Sequence, residues 1–314
     1  MGNHPQRCCY EVYPCQVTKE PLDGVAQRQP KPLCVVGLPL SFTQVAEETP
    51  VSEPDCPPDS RGRPSDGRGC DMAHDALLCD SAEYTGEWSG KKRNGRGAQV
   101  WPSGARYEGE WLNDRANGFG RYRHPNGYVH EGQWRNGKAH GHGKYTSADG
   151  SVFIGQWEDD MQTGDGEEEW PGGDRFKGSY VMNKKHGQGV FEWADGSRYE
   201  GSFRHNDIAG VGVYTWPDQR VFTGQWKENC MDGKGFYTWG DGRSYEGEYR
   251  MDLKHGHGVF TWADGTSYDG QWRLGKQHGE GVSTVDGVLQ RGTWVNGELI
   301  ASAIGSAVLE KPCS

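Results

Sequence analysis

The chain has 314 residues and a net charge of −10, and only 33% of its residues are hydrophobic. Glycine occurs 49 times, tryptophan 13 times and tyrosine 14 times. The negative charge argues against a dedicated nucleic-acid-binding protein. The sequence contains no run of about 18 apolar residues, so it predicts no membrane-spanning helix. Burial must come from rings packed over glycine backbone. This favours strands and tight turns, because glycine costs a helix about 1 kcal/mol relative to alanine.

Residues 1–80 are predicted to be a flexible, disordered N-terminal arm. Proline, glycine and charged residues dominate 51–70, and such a composition buries too little apolar surface to fold alone. The cysteine count of nine is odd and no apolar signal segment is present, so we expect no disulfide framework and a cytoplasmic location. No two cysteines have Cys-x-x-Cys spacing, so no structural zinc site is expected.

The start of the arm contains one candidate modification motif. Gly2, followed by Cys8 and Cys9, matches the sites of dual acylation, in which a second lipid chain makes membrane anchoring stable. Gln6, however, stands where the myristoylation motif has serine or threonine. Acylation and an unmodified arm are both open alternatives.

Residues 81–297 are predicted to be a repeat array. The pattern aromatic-x-Gly-x-aromatic recurs at steps of 23 residues, and in one copy His130 replaces the first aromatic. A fixed period of this kind indicates one supersecondary unit that stacks on its neighbours. The clearest copies contain Tyr107, Gly109, Trp111, Tyr199, Gly201, Phe203, Tyr245, Gly247, Tyr268, Gly270 and Trp272.

A second glycine pair follows in every unit, for example Gly210 and Gly212, and an aromatic such as Trp216 often comes after it. A turn signal follows, seen as Asn-Gly at 126–127 and as Asp-Gly at 149–150, 195–196, 241–242 and 264–265. Asp-Gly and Asn-Gly accept positive φ at low cost, as a tight turn between antiparallel strands requires. Each unit is therefore predicted to be strand, loop, strand, turn. Its rings and glycines lie on one face, so that the rings pack on bare backbone.

The repeat pattern weakens after Gly281, where Gly292 and Trp294 predict a degenerate tenth half-unit. Residues 298–314 are predicted to be a tail with a short helix that covers the sheet edge. The predicted fold class is all-β: an elongated, single, twisted antiparallel sheet of nine to ten stacked 23-residue hairpins, preceded by the disordered arm.

The residues Tyr-Glu-Gly-Glu-Trp at 107–111, the following Gly-x-Gly and Asp-Gly, and the strict period resemble the MORN (membrane occupation and recognition nexus) repeat. The resemblance implies stacked antiparallel hairpins. It also implies a role in scaffolds at membranes or in cytoskeletal and axonemal assemblies. Where proteins with such repeats are enzymes, the chemistry lies in a separate catalytic domain. None is recognisable here, so the chain is predicted to be non-enzymatic, with no cofactor.

Basic residues recur in the loops after the first strand of each unit. If these loops line one edge, they present a broken basic row to anionic lipid or to an acidic partner, although acidic residues occupy the same edge. The row contains Lys91, Lys92, Arg93, Arg135, Lys138, Lys184, Lys185, Lys254 and Lys276.

Histidines at one repeat position, among them His140 and His186, raise a metal hypothesis. Equivalent side chains in neighbouring units are about 9.5 Å apart, too far to share an ion, so solvated loop histidines are expected instead. The predicted function is a scaffold or adaptor that binds other proteins, at a membrane or in a cytoskeletal structure. The alternative is a module that binds phosphoinositide or phosphatidic acid in lipid signalling.

Overall fold

The computed structural model describes residues 82–303. The predicted arm, with its acylation candidates Gly2, Cys8 and Cys9, and residues 304–314 lie outside the described residues. Every regular element of the described part is a β-strand, and consecutive strands pair as antiparallel hairpins. The predicted all-β class and the hairpin repeats are therefore confirmed.

The strands in chain order are β1 (Glu83–Ser89), β2 (Lys92–Val100), β3 (Arg106–Leu112), β4 (Arg115–Arg123), β5 (Val129–Arg135), β6 (Lys138–Thr146), β7 (Val152–Glu158), β8 (Met161–Glu169), β9 (Arg175–Val181), β10 (Lys184–Glu192), β11 (Arg198–Arg204), β12 (Asp207–Thr215), β13 (Val221–Lys227), β14 (Cys230–Thr238), β15 (Ser244–Arg250), β16 (Leu253–Thr261), β17 (Ser267–Arg273), β18 (Lys276–Val285), β19 (Val288–Val295) and β20 (Glu298–Ala303).

The described chain divides into two compact units. The N-terminal unit comprises 82–224 and 237–240, and the C-terminal unit comprises 225–236 and 241–303. In the first, β1 to β12 pair consecutively; in the second, β15 to β20 do the same. Within both units, glycine faces glycine across the pairs, as at Gly97 and Gly109.

The first connection of each hairpin is its tightest turn. Between β3 and β4, Asn113 and Asp114 both have positive φ, at 48° and 66°, which is the backbone of a two-residue type I′ turn. The Asp-Gly dipeptide belongs to the second, longer connection. There, for instance, the Gly196 amide donates to the Trp193 carbonyl (2.9 Å). The loop predicted after each first strand is thus a turn of fixed geometry.

The aromatic core covers one face of the strands. Tyr199 is fully buried, its hydroxyl donates to the Ser202 carbonyl (3.1 Å), and its ring meets Phe203 edge-on at 5.2 Å. A Cβ added at Gly212 would lie 2.5 Å from Cζ of Tyr199. The ring therefore occupies the volume that any side chain at this position would need.

Gly210 does not lie under a ring as predicted. The strand pairing shifts between Gly201 and Phe203, and Gly210 adopts a φ of +70° within this irregularity. Its role is conformational, because a bulge residue in the left-handed region favours glycine. Trp216 is buried but follows the end of β12, so it packs from the turn and not from the strand.

The helix predicted to begin at 298 is wrong for Glu298–Ala303, which form β20. Asn296 and Gly297 have φ of 52° and 93°, so an Asn-Gly turn folds the chain back onto β19. Leu299 lies where a Cβ on Gly292 would be, in the manner of the tyrosine rings elsewhere. The apolar residues that suggested a helix instead complete a tenth hairpin.

Candidate interaction surfaces

The residues predicted for the repeat core form the interior of the two units. The glycines Gly109, Gly201, Gly212, Gly247 and Gly270 lie where a Cβ would overlap a neighbouring ring or glycine backbone. This leaves the opposite face and the turns for contact with other molecules. The predicted ring-bearing residues are all buried: Tyr107, Trp111, Tyr199, Phe203, Trp216, Tyr245, Tyr268 and Trp272.

Lys185 does not belong to the basic edge. Its side chain is buried, its Nζ lies 2.8 Å from Oε2 of Glu168, and the Trp170 ring centroid is 4.7 Å from the same nitrogen. Burial lowers the pKa of Lys185, while Glu168 opposes that shift. The prediction fails because Glu168 replaces a core ring, and its charge draws the lysine inward.

Arg93 and Lys254 also turn toward rings. Cζ of Arg93 lies 4.4 Å from the Trp111 ring centroid, and Nε of Arg93 lies 3.3 Å from Oδ1 of Asp114. Nζ of Lys254 lies 4.2 Å from the Phe260 ring centroid. These two cations are held by cation–π contacts within the hairpins and are not presented to a lipid surface as predicted.

The remaining predicted cations lie at the turns with different exposure. Lys91, Lys92 and Lys184 are exposed, whereas Lys138 and Lys276 are half-buried. Arg135 is exposed and its Nη2 lies 3.6 Å from Oδ1 of Asp159. Of the predicted basic row, only Lys91, Lys92, Lys184 and Arg135 are therefore exposed at the turns.

The turns carry an inter-repeat link that the sequence analysis missed. Oδ1 of Asp160 accepts from the Ala139 amide (2.7 Å), and the Asp160 amide donates to the Ala139 carbonyl (3.0 Å). Burial raises the pKa of Asp160 to about 6. The recurrence of Asp, Asn or Gly at the second turn position of successive repeats was a sequence signal that could have revealed this link. The same side-chain bond, 21 residues back, is made by Asp114, Asn183, Asn206 and Asp252.

The face of the N-terminal unit opposite the rings, which we call the outer face, is charged and exposed to solvent. Glu108, Arg121 and Glu131 face one another across successive strands, with Nε of Arg121 3.6 Å from Oε1 of Glu131. Phe119 stands among them with 62% of its surface exposed. These residues border a groove of about 670 Å³, which is lined by Thr85, Arg96, Gly97, Ala98, Glu108, Gly109, Glu110, Phe119, Gly120, Arg121 and Glu131.

Three apolar side chains project from turns, and the sequence analysis did not single them out. Met182, Met251 and Leu274 each occupy the first central turn position with φ near +50° and are strongly exposed. Large apolar residues are uncommon at positive φ. Exposure there is costly for a soluble surface, which makes these turns candidates for contact with another molecule.

The histidines do not form a metal centre within 82–303, where no group of three or more His, Cys, Asp and Glu side chains is placed to hold an ion. His186 and His205 lie with ring centroids 5.4 Å apart at neighbouring turns. His130 instead takes the place of a core ring and meets Trp134 and Trp157 edge-on, at 5.1 and 4.9 Å. Burial lowers its pKa to about 3.

The family model for the MORN repeat matches nine segments of this chain. They are 84–106, 107–127, 130–152, 153–175, 176–198, 199–219, 222–242, 245–267 and 268–287. The chain belongs to the MORN-repeat family. As a MORN protein it is a repeat-based protein-interaction or membrane-associated module. No curated protein matches it significantly, and no helix in the described part is long and apolar enough to cross a bilayer.

Solved structures with some likeness to this MORN protein include the Drosophila melanogaster SAS-4 (dCPAP) TCP domain in complex with a proline-rich motif of Ana2. It is 15% identical with a TM-score of 0.31, covering 48% of this chain and 81% of that one. The CPAP G-box domain is 16% identical with a TM-score of 0.33, covering 62% and 97%. At TM-scores this low, the likeness carries no inference about function.

Proposed function

We propose that this MORN protein is a non-enzymatic scaffold or adaptor that binds other proteins through the outer-face groove of its N-terminal unit. The exposed ring of Phe119 in that groove carries the proposal. Aromatic side chains exposed in a concave surface are typical anchors of protein interfaces. The groove walls hold charges of both signs, which suits a peptide with an apolar residue flanked by charged ones.

The groove lining supports binding over chemistry. Thr85 is its one hydroxyl side chain, and each of its carboxylates, Glu108, Glu110 and Glu131, faces an arginine across the strands. A nucleophile requires an adjacent general base, and the lining contains no histidine or cysteine. The buried ionisable groups Glu168, Lys185 and His130 are enclosed by rings on the other face.

The test compares Phe119→Glu with Val211→Glu. Val211 occupies the position equivalent to Phe119 four repeats later, is similarly exposed, and lies in the same unit but outside the groove. After affinity capture from cells, we expect a defined protein to bind the wild type and Val211→Glu but not Phe119→Glu. Identical sets of captured proteins for all three would refute the groove as the binding site.

A second candidate, phospholipid binding, is favoured by the turns of the C-terminal unit. Arg250 precedes the exposed Met251, and Arg273 precedes the exposed Leu274. Apolar tips beside exposed arginines suit the interface of an anionic bilayer. Vesicles of phosphatidylcholine with and without phosphatidic acid or a phosphoinositide distinguish this function. We expect anion-dependent co-sedimentation that Met251→Glu with Leu274→Glu abolishes, and sedimentation that ignores lipid charge rules it out.

A further inference from the structure

The second ring position of the repeat is exposed in β1 and buried in every later hairpin. Trp88 has 45% of its surface exposed, whereas Trp111, at the same position one repeat on, has 3%. The equivalent residues of later units are also buried: Trp134, Trp157, Tyr180, Phe203, Trp226, Tyr249, Trp272 and Trp294. The difference lies in what each ring covers.

Within the N-terminal unit, the later rings of this set reach over the hairpin that precedes them. The Trp111 ring meets Tyr84 of the preceding hairpin edge-on at 5.5 Å, and its Nε1 donates to the Gly97 carbonyl (3.0 Å). Trp134 repeats both contacts with Tyr107, at 5.3 Å, and with the Gly120 carbonyl, at 3.0 Å. The ring thus closes the joint between one hairpin and the one before it.

No hairpin precedes β1 within the described residues. β1 pairs with β2 along one side, and no described strand pairs with its other side. Trp88 meets the Tyr84 ring of its own strand edge-on, with the ring centroids 5.1 Å apart. Among the described residues, Trp88 therefore overhangs an unpaired strand edge, where the ring and the backbone can both meet a further strand.

We propose that a second copy of this chain occupies this edge, with the two β1 strands antiparallel about a two-fold axis at Gly86. In that register Gly86 faces Gly86 of the second copy, reproducing the glycine-to-glycine pairing of the sheet. Trp88 faces Tyr84 of the second copy, the ring type that it lacks. Self-complementary contact of this kind is the rule for two-fold interfaces.

The remaining pairs of this register are compatible in charge. Thr85 faces Glu87 and Glu83 faces Ser89, so no carboxylate faces a carboxylate. The chain just before β1 is less suited to the role, because residues 43–83 contain no Phe, Trp or Tyr to supply the missing ring. Edge pairing between identical strands therefore fits better than pairing with the preceding segment.

The experiment measures the mass of the full chain by sedimentation equilibrium across micromolar concentrations. We expect a monomer–dimer equilibrium. The dissociation constant should be at least roughly tenfold higher for Trp88→Ala, because buried tryptophans are typical interface hot spots. Ile300→Ala, at an exposed position in β20, is the control for truncating an exposed apolar side chain on the other terminal strand and should leave the equilibrium unchanged.

The register is tested separately on the outer face. Thr85→Glu places two carboxylates opposite each other at both ends of the pair and should weaken the dimer, whereas Thr85→Lys should retain or strengthen it. A protein that stays monomeric at all concentrations overturns the proposal. That result is expected if residues 1–81 occupy the edge. A dimer that is indifferent to Trp88→Ala, or one that Ile300→Ala dissociates, overturns the proposal as well.

Discussion

Nζ of Lys185 lies 2.8 Å from Oε2 of Glu168 inside a core built mainly of rings, and the Tyr180 hydroxyl lies 2.9 Å from the same oxygen. At the equivalent positions one repeat earlier stand Gln162 and Tyr145, and two repeats earlier Ala139 and Tyr122. The pair thus replaces an uncharged contact by a charged one. Its energetic value depends on both partners being present, because each alone is a buried, uncompensated charge.

Removing one partner of this pair should be more costly than removing both. We expect Glu168→Gln to destabilise the N-terminal unit by about 3 kcal/mol or more. The double change Glu168→Tyr with Lys185→Ala copies an earlier repeat and should be neutral or stabilising. Chemical denaturation, monitored by circular dichroism, measures the free energy of unfolding of both variants. A double variant less stable than Glu168→Gln would contradict this account.

The ring-over-glycine packing predicts a large effect at Gly212. Because a Cβ there would meet the Tyr199 ring, Gly212→Ala should destabilise by about 2 to 3 kcal/mol through overpacking. Gly172→Ala is the matched control, since a Cβ at Gly172 meets nothing within 4 Å and its φ is not positive. Its effect should lie within about 0.5 kcal/mol of wild type, or be slightly stabilising. Equal thermal shifts for the two variants would argue against the packing model.

His130 should make the N-terminal unit acid-sensitive. Its folded pKa is about 3 against an ordinary 6.5, so between these values the unfolded chain binds the proton and the folded chain does not. Stability contributed by neutral His130 is therefore complete above pH 6.5 and falls toward pH 3, by roughly 3 to 5 kcal/mol in total. Between pH 7 and pH 4, the unfolding temperature of His130→Tyr should fall less steeply than that of the wild type. Parallel curves would show that His130 does not titrate as argued.

Asp160 should act in the opposite direction over a narrower range. Its folded pKa is raised from 3.8 to about 6, so its protonated form stabilises the fold below pH 3.8, and this contribution is lost as pH rises through 6. Asp160→Asn keeps the oxygen that accepts from Ala139, as Asn183 does in the next repeat for Gln162. We expect it to unfold at a higher temperature than wild type at pH 7 and to match it at pH 4. Glu158→Gln, at the exposed end of β7, is the control for replacing a carboxylate by an amide, and an equal gain there would exclude the proposed cause.

The fold was predictable because two sequence signals are strict. The 23-residue period and the aromatic-x-Gly-x-aromatic alternation specify the hairpins, and the rings at positions such as Tyr107 and Tyr199 are buried. The two-residue turns were less readable, since Asn-Asp at 113–114 is a weaker signal than Asn-Gly. The strand at Glu298–Ala303 was missed because short apolar runs do not separate helix from strand, although Asn296-Gly297 marked the turn.

The surfaces were harder to predict because they depend on exceptions to the repeat. The sequence placed Lys185 in a basic row, but a change 17 residues earlier, at Glu168, drew it into the core. Nor did the repeat pattern show that Phe119 lies in a groove or that Trp88 overhangs an edge. Residues that depart from the type usual at their repeat position therefore contain information about binding that the regular positions lack.

The bond from Asp160 back to Ala139 recurs at the same offset in several hairpins, so a hairpin offers its successor the same donor and acceptor that it takes from its predecessor. With respect to this bond, these hairpins are interchangeable. A gene encoding such a protein can lengthen or shorten by copying or losing 69 base pairs, three for each of the 23 residues of a repeat, while a shift of a single codon would break every joint it touches.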